Sequence, residues 1–231
     1  MVDGGETTHH SVGDGPNQTV GAERRRGRPT KTAAAGLSHT ILEIAFRQFL
    51  EAGYSATSMD SVAAEARTSK RTLYDRFPSK QRLFEAALHH QILFNYDALR
   101  VLETQTGPIA EVLPQIAVWL RTNTFAPRTI SLFRLLAAEG HRHPELADYS
   151  ESRVLRPIIV ALTNVFARAC ERGEVRDMPP EFLANQFVQA ICGGDIRASI
   201  YGVPKTDGAD AIALRTQYAV DLFLRGAAPA T

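Results

Sequence analysis

The sequence of 231 residues contains no long apolar run, only two cysteines and almost no net charge. No segment approaches the roughly 20 consecutive apolar residues that a membrane-spanning helix needs. Residues 1–20 lack the basic start and apolar middle of a secretion signal. Two cysteines in a chain of this size are weak evidence for a disulfide, so Cys170 and Cys192 are interpreted as reduced core residues. These absences predict a cytoplasmic protein that binds no membrane.

The sequence signatures of catalysis are also missing. No dinucleotide-binding GxGxxG, Walker loop or GxSxG stretch occurs. A carboxylate-bridged metal pair needs Glu-x-x-His on two helices, whereas Glu85 with His89 and Glu139 with His143 are spaced by four. His141 and His143 stand at a helix boundary where three zinc ligands are not evident. We therefore expect no enzyme, no cofactor and no metal site.

The strict alternation of polar and apolar residues that marks a half-buried strand is absent too. From Leu37 onward, apolar residues recur at helical spacing, and Gly and Pro interrupt them as they do at helix ends. We predict an all-α fold. Pro114 and Pro157 lie inside apolar patterns, so each marks either a kink or a boundary. The expected helices cover residues 37–52, 57–66, 68–77, 79–104, 108–124, 127–140, 144–153, 156–172, 179–201 and 208–225.

The small net charge of +1 conceals an uneven distribution. Residues 21–80 contain eleven Lys and Arg against six acids, a charge of +5, so the remaining residues carry −4. A basic region within a nearly neutral chain is the electrostatic footprint expected for binding phosphate.

Residues 65–77, EARTSKRTLYDRF, place part of this charge on a helix with a thin apolar stripe. On a helical wheel Leu73 and Phe77 form the buried edge, and Arg71, Tyr74 and Asp75 lie outside. Neighbouring helices must brace such a helix, which leaves its outer face free. Three short helices with a tight second connection and a basic third helix indicate a helix-turn-helix that reads the major groove. The other interpretation is an ordinary solvated helix face.

Residues 41–88, ILEIAFRQFLEAGYSATSMDSVAAEARTSKRTLYDRFPSKQRLFEAAL, resemble the DNA-binding domain of the TetR family of bacterial transcriptional regulators. The matching residues include Phe49, Gly53, Tyr54, Thr57, Val62, Ala63, Ser69, Lys70, Thr72, Leu73, Tyr74, Phe77, Ser79 and Lys80. The resemblance implies a helix-turn-helix domain at 36–82 that binds double-stranded DNA, in a protein associated with the nucleoid.

The resemblance also implies which side chains contact DNA. Lys70, Arg71 and Thr72, at the start of the reading helix, would face bases or nearby phosphates. The hydroxyl of Tyr74 would contact the DNA backbone. The full set of implied contacts within the domain is Thr57, Arg67, Thr68, Ser69, Lys70, Arg71, Thr72, Tyr74, Asp75 and Lys80.

Two residues depart from the usual pattern of that family. Arg67 stands in the turn where glycine is usual, so either a non-glycine residue adopts positive φ there or the turn differs. Asp75 places a carboxylate on the outward face. We favour an ion pair with Arg71, four residues earlier; the alternative is that Asp75 accepts a hydrogen bond from a cytosine amino group.

Residues 1–35 have almost no large apolar side chains and are predicted to form a disordered basic arm. Its segment RRRGRPTK includes Arg26 and Arg28 in an RGRP sequence. Arginine in an extended segment suits the narrow minor groove of A·T-rich DNA. A non-specific electrostatic tether is an equally good interpretation.

The resemblance assigns residues 83–231 to a larger helical domain that binds an effector and dimerises. Helices 179–201 and 208–225 are the expected homodimer interface. A small hydrophobic effector would release a dimeric repressor from a palindromic operator. The candidate effector contacts, chosen as large aromatic or polar side chains, are Trp119, Asn123, Phe133, His141, Phe166 and Gln186. The alternative function is an architectural DNA-binding protein without an effector.

Overall fold

The computed structural model describes residues 31–104, 106–203 and 208–228, which form eleven α-helices and no strand. The helices are α1 (Lys31–Ala52), α2 (Met59–Glu65), α3 (Lys70–Arg76), α4 (Lys80–Thr104), α5 (Ile109–Thr124), α6 (Pro127–Glu139), α7 (Pro144–Ser150), α8 (Arg156–Glu171), α9 (Pro180–Val188), α10 (Gly194–Ile200) and α11 (Ala209–Ala227). Wider π-helical turns, Glu151–Leu155 and Gln189–Gly193, join α7 to α8 and α9 to α10.

The predicted all-α fold is confirmed in the described residues, with differences at two helix starts. α1 begins at Lys31 instead of Leu37, so the predicted disorder is wrong for residues 31–35. The added residues 31–36 include three consecutive alanines, and alanine is the strongest helix former. α2 begins at Met59 because Ser58, and not Thr57, is its N-cap.

The two ambiguous prolines have different positions. α5 continues through Pro114, so this residue marks no helix boundary. Pro157 lies in the first turn of α8, directly after the π-helical turn Glu151–Leu155, and the helical backbone is unbroken between α7 and α8. It therefore marks a change from π-helical to α-helical winding and not the end of a helix.

Two clusters of buried side chains stabilise the molecule. The N-terminal cluster joins α1–α4 and also includes Leu132 of α6 and Leu146 of α7. The C-terminal cluster joins α5, α8, α9 and α11 around Phe166, Phe187 and Phe223, whose ring centroids are 5.1–6.1 Å apart. The helices at the N-terminal end are thus packed directly against α6 and α7.

A polar contact fastens the loop between α1 and α2 to the end of α6. The Ser55 N–H donates to Glu139 Oε2 at 2.7 Å, and the Ser55 hydroxyl donates to the same oxygen. Burial acts to raise the pKa of the Glu139 carboxyl, but the Ser55 hydrogen bonds and the nearby His143 lower it by more.

α4 runs without a break past the predicted domain boundary at residues 82 and 83.

The helices and the cysteines can be compared with the predictions about membrane spans and disulfides. Among the described residues, no helix is both long and apolar enough to cross a membrane. Cys170 and Cys192 are free thiols. Cys192 is buried in the C-terminal cluster, and Cys170 is half-buried against it.

Candidate nucleic-acid interface

The turn between α2 and α3 is closed by two backbone hydrogen bonds. The Arg67 N–H donates to the Ala64 carbonyl at 3.2 Å, and the Thr68 N–H donates to the Ala63 carbonyl at 3.0 Å. These are the bonds of a Schellman motif, which places its central residue in the left-handed region. Arg67 has a φ of 51° and is the one non-glycine residue at positive φ in the described chain.

The first of the two expectations for Arg67 is therefore correct. A left-handed conformation costs a residue with a Cβ roughly 1–2 kcal/mol. The exposed side chain places a positive charge at the tip of the turn, next to the start of α3.

The short helix α3 depends on its neighbours for stability, as its thin apolar stripe predicts. The Ser69 hydroxyl caps it by accepting from the Thr72 N–H at 3.1 Å. Leu73 is fully buried, and Phe77 packs half-buried against the N-terminal cluster. The Arg76 guanidinium donates to the Ser38 hydroxyl of α1, which adds a polar contact between α3 and α1.

The outer face of α3 carries Arg71, Tyr74 and Asp75, which are all exposed. The Arg71 side chain is 91% exposed, and its Nε lies 4.0 Å from Asp75 Oδ2. That distance is too long for a hydrogen bond, and an ion pair in water contributes little. The favoured intrahelical pair is present but loose, so Arg71 remains able to reach a base.

Lys70, at the start of α3, has a partner on α2. Its Nζ donates to Asp60 Oδ2 at 2.6 Å, and this hydrogen bond raises the pKa of the exposed lysine. A phosphate that approached Lys70 would have to share it with Asp60.

Two residues predicted to contact phosphate are instead bonded within the protein. Thr57 is only 3% exposed, and its hydroxyl donates to the Gly53 carbonyl at 2.8 Å. Lys80 donates to the carbonyls of Tyr54 at 2.9 Å and Ser55 at 3.3 Å, with its ammonium 4.5 Å from the centre of the Tyr54 ring. In this conformation both side chains hold the α1–α2 loop in place, and their contacts with DNA stay a prediction.

Sequence reasoning does not find two residues that shape this surface, Ser58 and Asp60. Ser58 and Ser61 form a reciprocal capping box, with hydrogen bonds of 3.0 Å and 3.3 Å. The sequence contains two adjacent residues that can cap a helix, Thr57 and Ser58. The structure shows that Ser58 is the N-cap of α2. Asp60 is ten residues from Lys70, a spacing that no single-helix rule detects.

Arg26 and Arg28 of the basic arm lie outside the described residues. Their predicted role in the minor groove therefore stays a prediction, as does the predicted disorder of residues 1–30.

The six predicted effector contacts do not converge on one cavity of the described structure. Phe166 is sealed within the C-terminal cluster, whereas His141 and Gln186 are exposed. Phe133 is half-buried on α6.

The remaining two, Trp119 and Asn123, lie one turn apart on α5, where Asn123 Nδ2 donates to the Trp119 carbonyl at 2.8 Å. The buried indole N–H of Trp119 has no acceptor among the described residues. Asn123 also lines a cavity of about 560 Å³ between α1, α4 and the α5–α6 junction.

Two family models match this chain. Residues 41–87 match the model described as bacterial regulatory proteins, tetR family. Residues 111–226, half of the chain, match the C-terminal domain of AefR-like transcriptional repressors. The chain belongs to the TetR family. The resemblance drawn from residues 41–88 is confirmed: this is a DNA-binding transcriptional regulator, from a family of regulators and not of enzymes.

Individual relatives agree with the family. This TetR-family chain is similar to the HTH-type transcriptional regulator RutR of Escherichia coli strain K12, with 27% identity over 79% of this chain and 91% of RutR. Its fold resembles a TetR-family regulator from Mesorhizobium loti, with a TM-score of 0.73, 20% identity and coverage of 84% and 97%. It also resembles the flavonoid-responsive regulator FrrA, with a TM-score of 0.69, 25% identity and coverage of 85% and 100%.

Proposed function

We propose that this TetR-family regulator is a repressor that binds a palindromic operator as a homodimer and releases it when a small hydrophobic molecule binds. The observation that carries the proposal is the exposed outer face of α3, where Arg71 is only loosely paired and which Leu73 holds in place from the inner side. The similarity of residues 111–226 to AefR-like transcriptional repressors supports repression. Residues 36–82 would read DNA, and residues 83–231 would bind the effector and the second subunit.

Arg71 is the residue proposed to read sequence. Its guanidinium is almost fully exposed and only loosely paired with Asp75. A bidentate contact with guanine would therefore break only a weak ion pair. Such a contact provides about 1–3 kcal/mol of discrimination against the wrong base. Arg67 and Tyr74 flank it and would contact phosphates, which fix the position of α3 without reading sequence.

Exposed apolar side chains on the last helices support the proposed homodimer. Leu214, Tyr218 and Leu222 follow one another at four-residue spacing on α11, and their exposures are 47%, 58% and 71%. Phe182 of α9 is 47% exposed. A stripe of this kind is unfavourable in water and is typical of a surface that a partner covers. A two-fold dimer would place its two α3 helices about one DNA turn apart.

The proposed effector lies against Trp119. A buried N–H without an acceptor is unfavourable, and a ligand that carries a carbonyl or hydroxyl oxygen would accept from it. Asn123 and the cavity beside it give such a ligand room. The similarity to FrrA, which is flavonoid-responsive, supports a hydrophobic effector that also carries oxygen atoms.

The contact between Ser55 and Glu139 connects the two proposed activities. It attaches the loop before α2 to the end of α6, and α6 also contributes Leu132 and Arg128 to the wall of the cavity. A ligand that displaces α6 would therefore move α2 and α3 relative to the second subunit. Because the two sites share this element, effector and operator would each weaken the binding of the other by the same factor.

The test is a gel shift on the DNA beside the protein's own gene, repeated across a panel of small hydrophobic molecules. Trp119 is the only tryptophan, so a change in tryptophan fluorescence reports a change in the surroundings of this residue. We expect one or a few protected palindromic sites and at least one compound that both releases DNA and changes the fluorescence.

A chain carrying Glu171→Gln is the control for the effector site, since Glu171 is exposed on α8, belongs to no proposed contact and should leave the response unchanged. Equal affinity for random DNA and for the upstream region would contradict the regulator and support the architectural alternative. Release of DNA without a change in Trp119 fluorescence would place the effector elsewhere.

A further inference from the structure

Three side chains of kinds that bind metal ions, two histidines and one glutamate, lie close together where α1 meets α4. His39 Nδ1 is 2.9 Å from His90 Nε2, and His90 Nε2 is 3.6 Å from Glu43 Oε1. All three ligand atoms lie within 4.8 Å of one another. His39 and Glu43 are four residues apart and so share one face of α1. The third residue comes from a helix 51 positions further along the chain.

We propose that His39, Glu43 and His90 bind one divalent cation of the zinc class, which fastens the first helix to the fourth. Tetrahedral zinc with ligands at about 2.0–2.2 Å keeps its ligand atoms about 3.3 Å apart. The observed separations of 2.9 Å and 3.6 Å lie on either side of that value. The third pair, His39 and Glu43, lies within 4.8 Å, so metal binding would require the exposed His39 side chain to rotate towards Glu43.

The chemistry of the three donors indicates which cation fits. Two imidazole nitrogens and one carboxylate oxygen are suited to zinc and to similar transition metals, whereas calcium and magnesium prefer all-oxygen sites. Three protein ligands leave the fourth position for water, because His39 is exposed and lines the open cavity. The site would thus exchange metal with solvent.

A surrounding layer of hydrogen bonds already orients the carboxylate. Gln91 Nε2 donates to Glu43 Oε1 at 2.5 Å, and Arg128 Nη1 lies 3.5 Å from Glu43 Oε2. Arg128 also donates to Gln91 Oε1 at 2.7 Å. Metal would take Oε1 and leave Oε2 beside Arg128, which belongs to α6. Such supporting partners typically change metal affinity by about 10–100-fold.

The inference goes beyond the proposed function, because it depends on none of the residues proposed to read DNA, although His39 and Arg128 also line the cavity proposed for the effector. A cation at this position would join the DNA-reading helices to α4 directly. The α1–α4 spacing would then depend on metal occupancy as well as on the effector.

The test uses the full chain carrying His9→Asn and His10→Asn, so that histidines near the N-terminus do not contribute. After treatment with a chelator, isothermal titration calorimetry with Zn²⁺ should show one ion bound per chain. Co²⁺ should give the visible absorption bands of a tetrahedral site. His39→Asn, a change at an exposed position that should leave the fold intact by circular dichroism, should weaken zinc binding by more than about 100-fold, since it removes a direct ligand.

His89→Gln is the matched control, because His89 is an exposed neighbour of His90 on the same helix. It should bind zinc as the background chain does. The proposal is overturned if the background chain binds no zinc, if His39→Asn binds it with unchanged affinity, or if His39→Asn and His89→Gln lose affinity equally. In all of these cases operator binding by the chain without metal would still test the regulator separately.

Discussion

The two ends of this molecule use the same kind of helix for opposite purposes. At the N-terminal end, α3 buries Leu73 and presents two cations, Lys70 and Arg71, against one carboxylate, Asp75, so its exposed face is charged with an excess of positive charge. At the C-terminal end, α11 buries Val220 and presents Tyr218 and Leu222, so its exposed face is apolar. The character of the exposed face distinguishes a surface suited to phosphate from one suited to another protein surface.

The largest expected effects are losses of stability when a buried side chain is removed from either cluster. Phe166→Ala removes a fully buried ring of the C-terminal cluster and should destabilise the protein by about 3–5 kcal/mol. Leu73→Ala removes the buried anchor of α3 and should cost about 2–5 kcal/mol. Urea unfolding measures both changes.

The two variants should differ in what survives. Leu73→Ala should lose DNA binding while remaining a dimer by size-exclusion chromatography, whereas Phe166→Ala should lose both. Loss of the dimer in Leu73→Ala would contradict the assignment of separate surfaces.

The surface proposed for the homodimer gives the next prediction. Leu222→Asp places a charge on the exposed apolar stripe of α11 and should convert the dimer to monomers, because the charge would be buried without a partner. Analytical ultracentrifugation measures the change. Asp148→Asn, at an exposed position of α7 outside the proposed interface, is the control and should remain dimeric.

Arg71→Ala should weaken operator binding by about 1–3 kcal/mol and relax the preference at one base position. Its partner variant, Asp75→Asn, frees Arg71 from the loose pair and should leave binding equal or slightly tighter. Fluorescence anisotropy with labelled operator measures both. A large loss in Asp75→Asn would instead support the alternative in which Asp75 accepts from cytosine.

Substitutions of Arg67 distinguish the effect of backbone strain from the effect of the positive charge. Arg67→Gly relieves the left-handed conformation and should stabilise the protein by up to about 1 kcal/mol, whereas Arg67→Ala retains the strain and should not. Both variants lose one cation and should reduce the salt dependence of DNA binding by up to about one unit. Thermal unfolding and affinity at several salt concentrations check the two parts.

The smallest effect concerns the contact between the two ends. Because the pKa of Glu139 is lowered in the folded state, its ionised form stabilises the protein at neutral pH, and this stabilisation is lost as pH falls through the folded-state pKa. Glu139→Gln should therefore be less stable than the wild type at neutral pH. The difference should shrink in acid, as urea unfolding at both pH values would show.

The N-terminal end is readable from sequence because its determinants are local. The helix order and the burial of Leu73 follow from residues close together in the chain, whereas the sequence identifies Arg67 as the unusual residue of the turn and leaves its conformation open. Thr57 and Lys80 are the exceptions, since neighbours in space satisfy their polar groups and no pattern reveals this.

The C-terminal end is harder to read because helical periodicity does not say which neighbour covers a face. Phe166 and Gln186 have suitable chemistry for a ligand site, yet one is sealed in the core and the other exposed. The same limit applies to His39 and His90, whose proximity depends on how α1 packs on α4 and not on their spacing in the chain.

The central claim is that α3 reads sequence through Arg71. Selection of bound sites from a random DNA library, by the full-length protein and by Arg71→Ala in parallel, tests it most directly. The wild type should enrich a palindrome whose half-sites are about one helical turn apart, and Arg71→Ala should enrich the same palindrome with one position in each half-site relaxed. Identical selected sequences for both proteins, or no enrichment by the wild type, would contradict the claim.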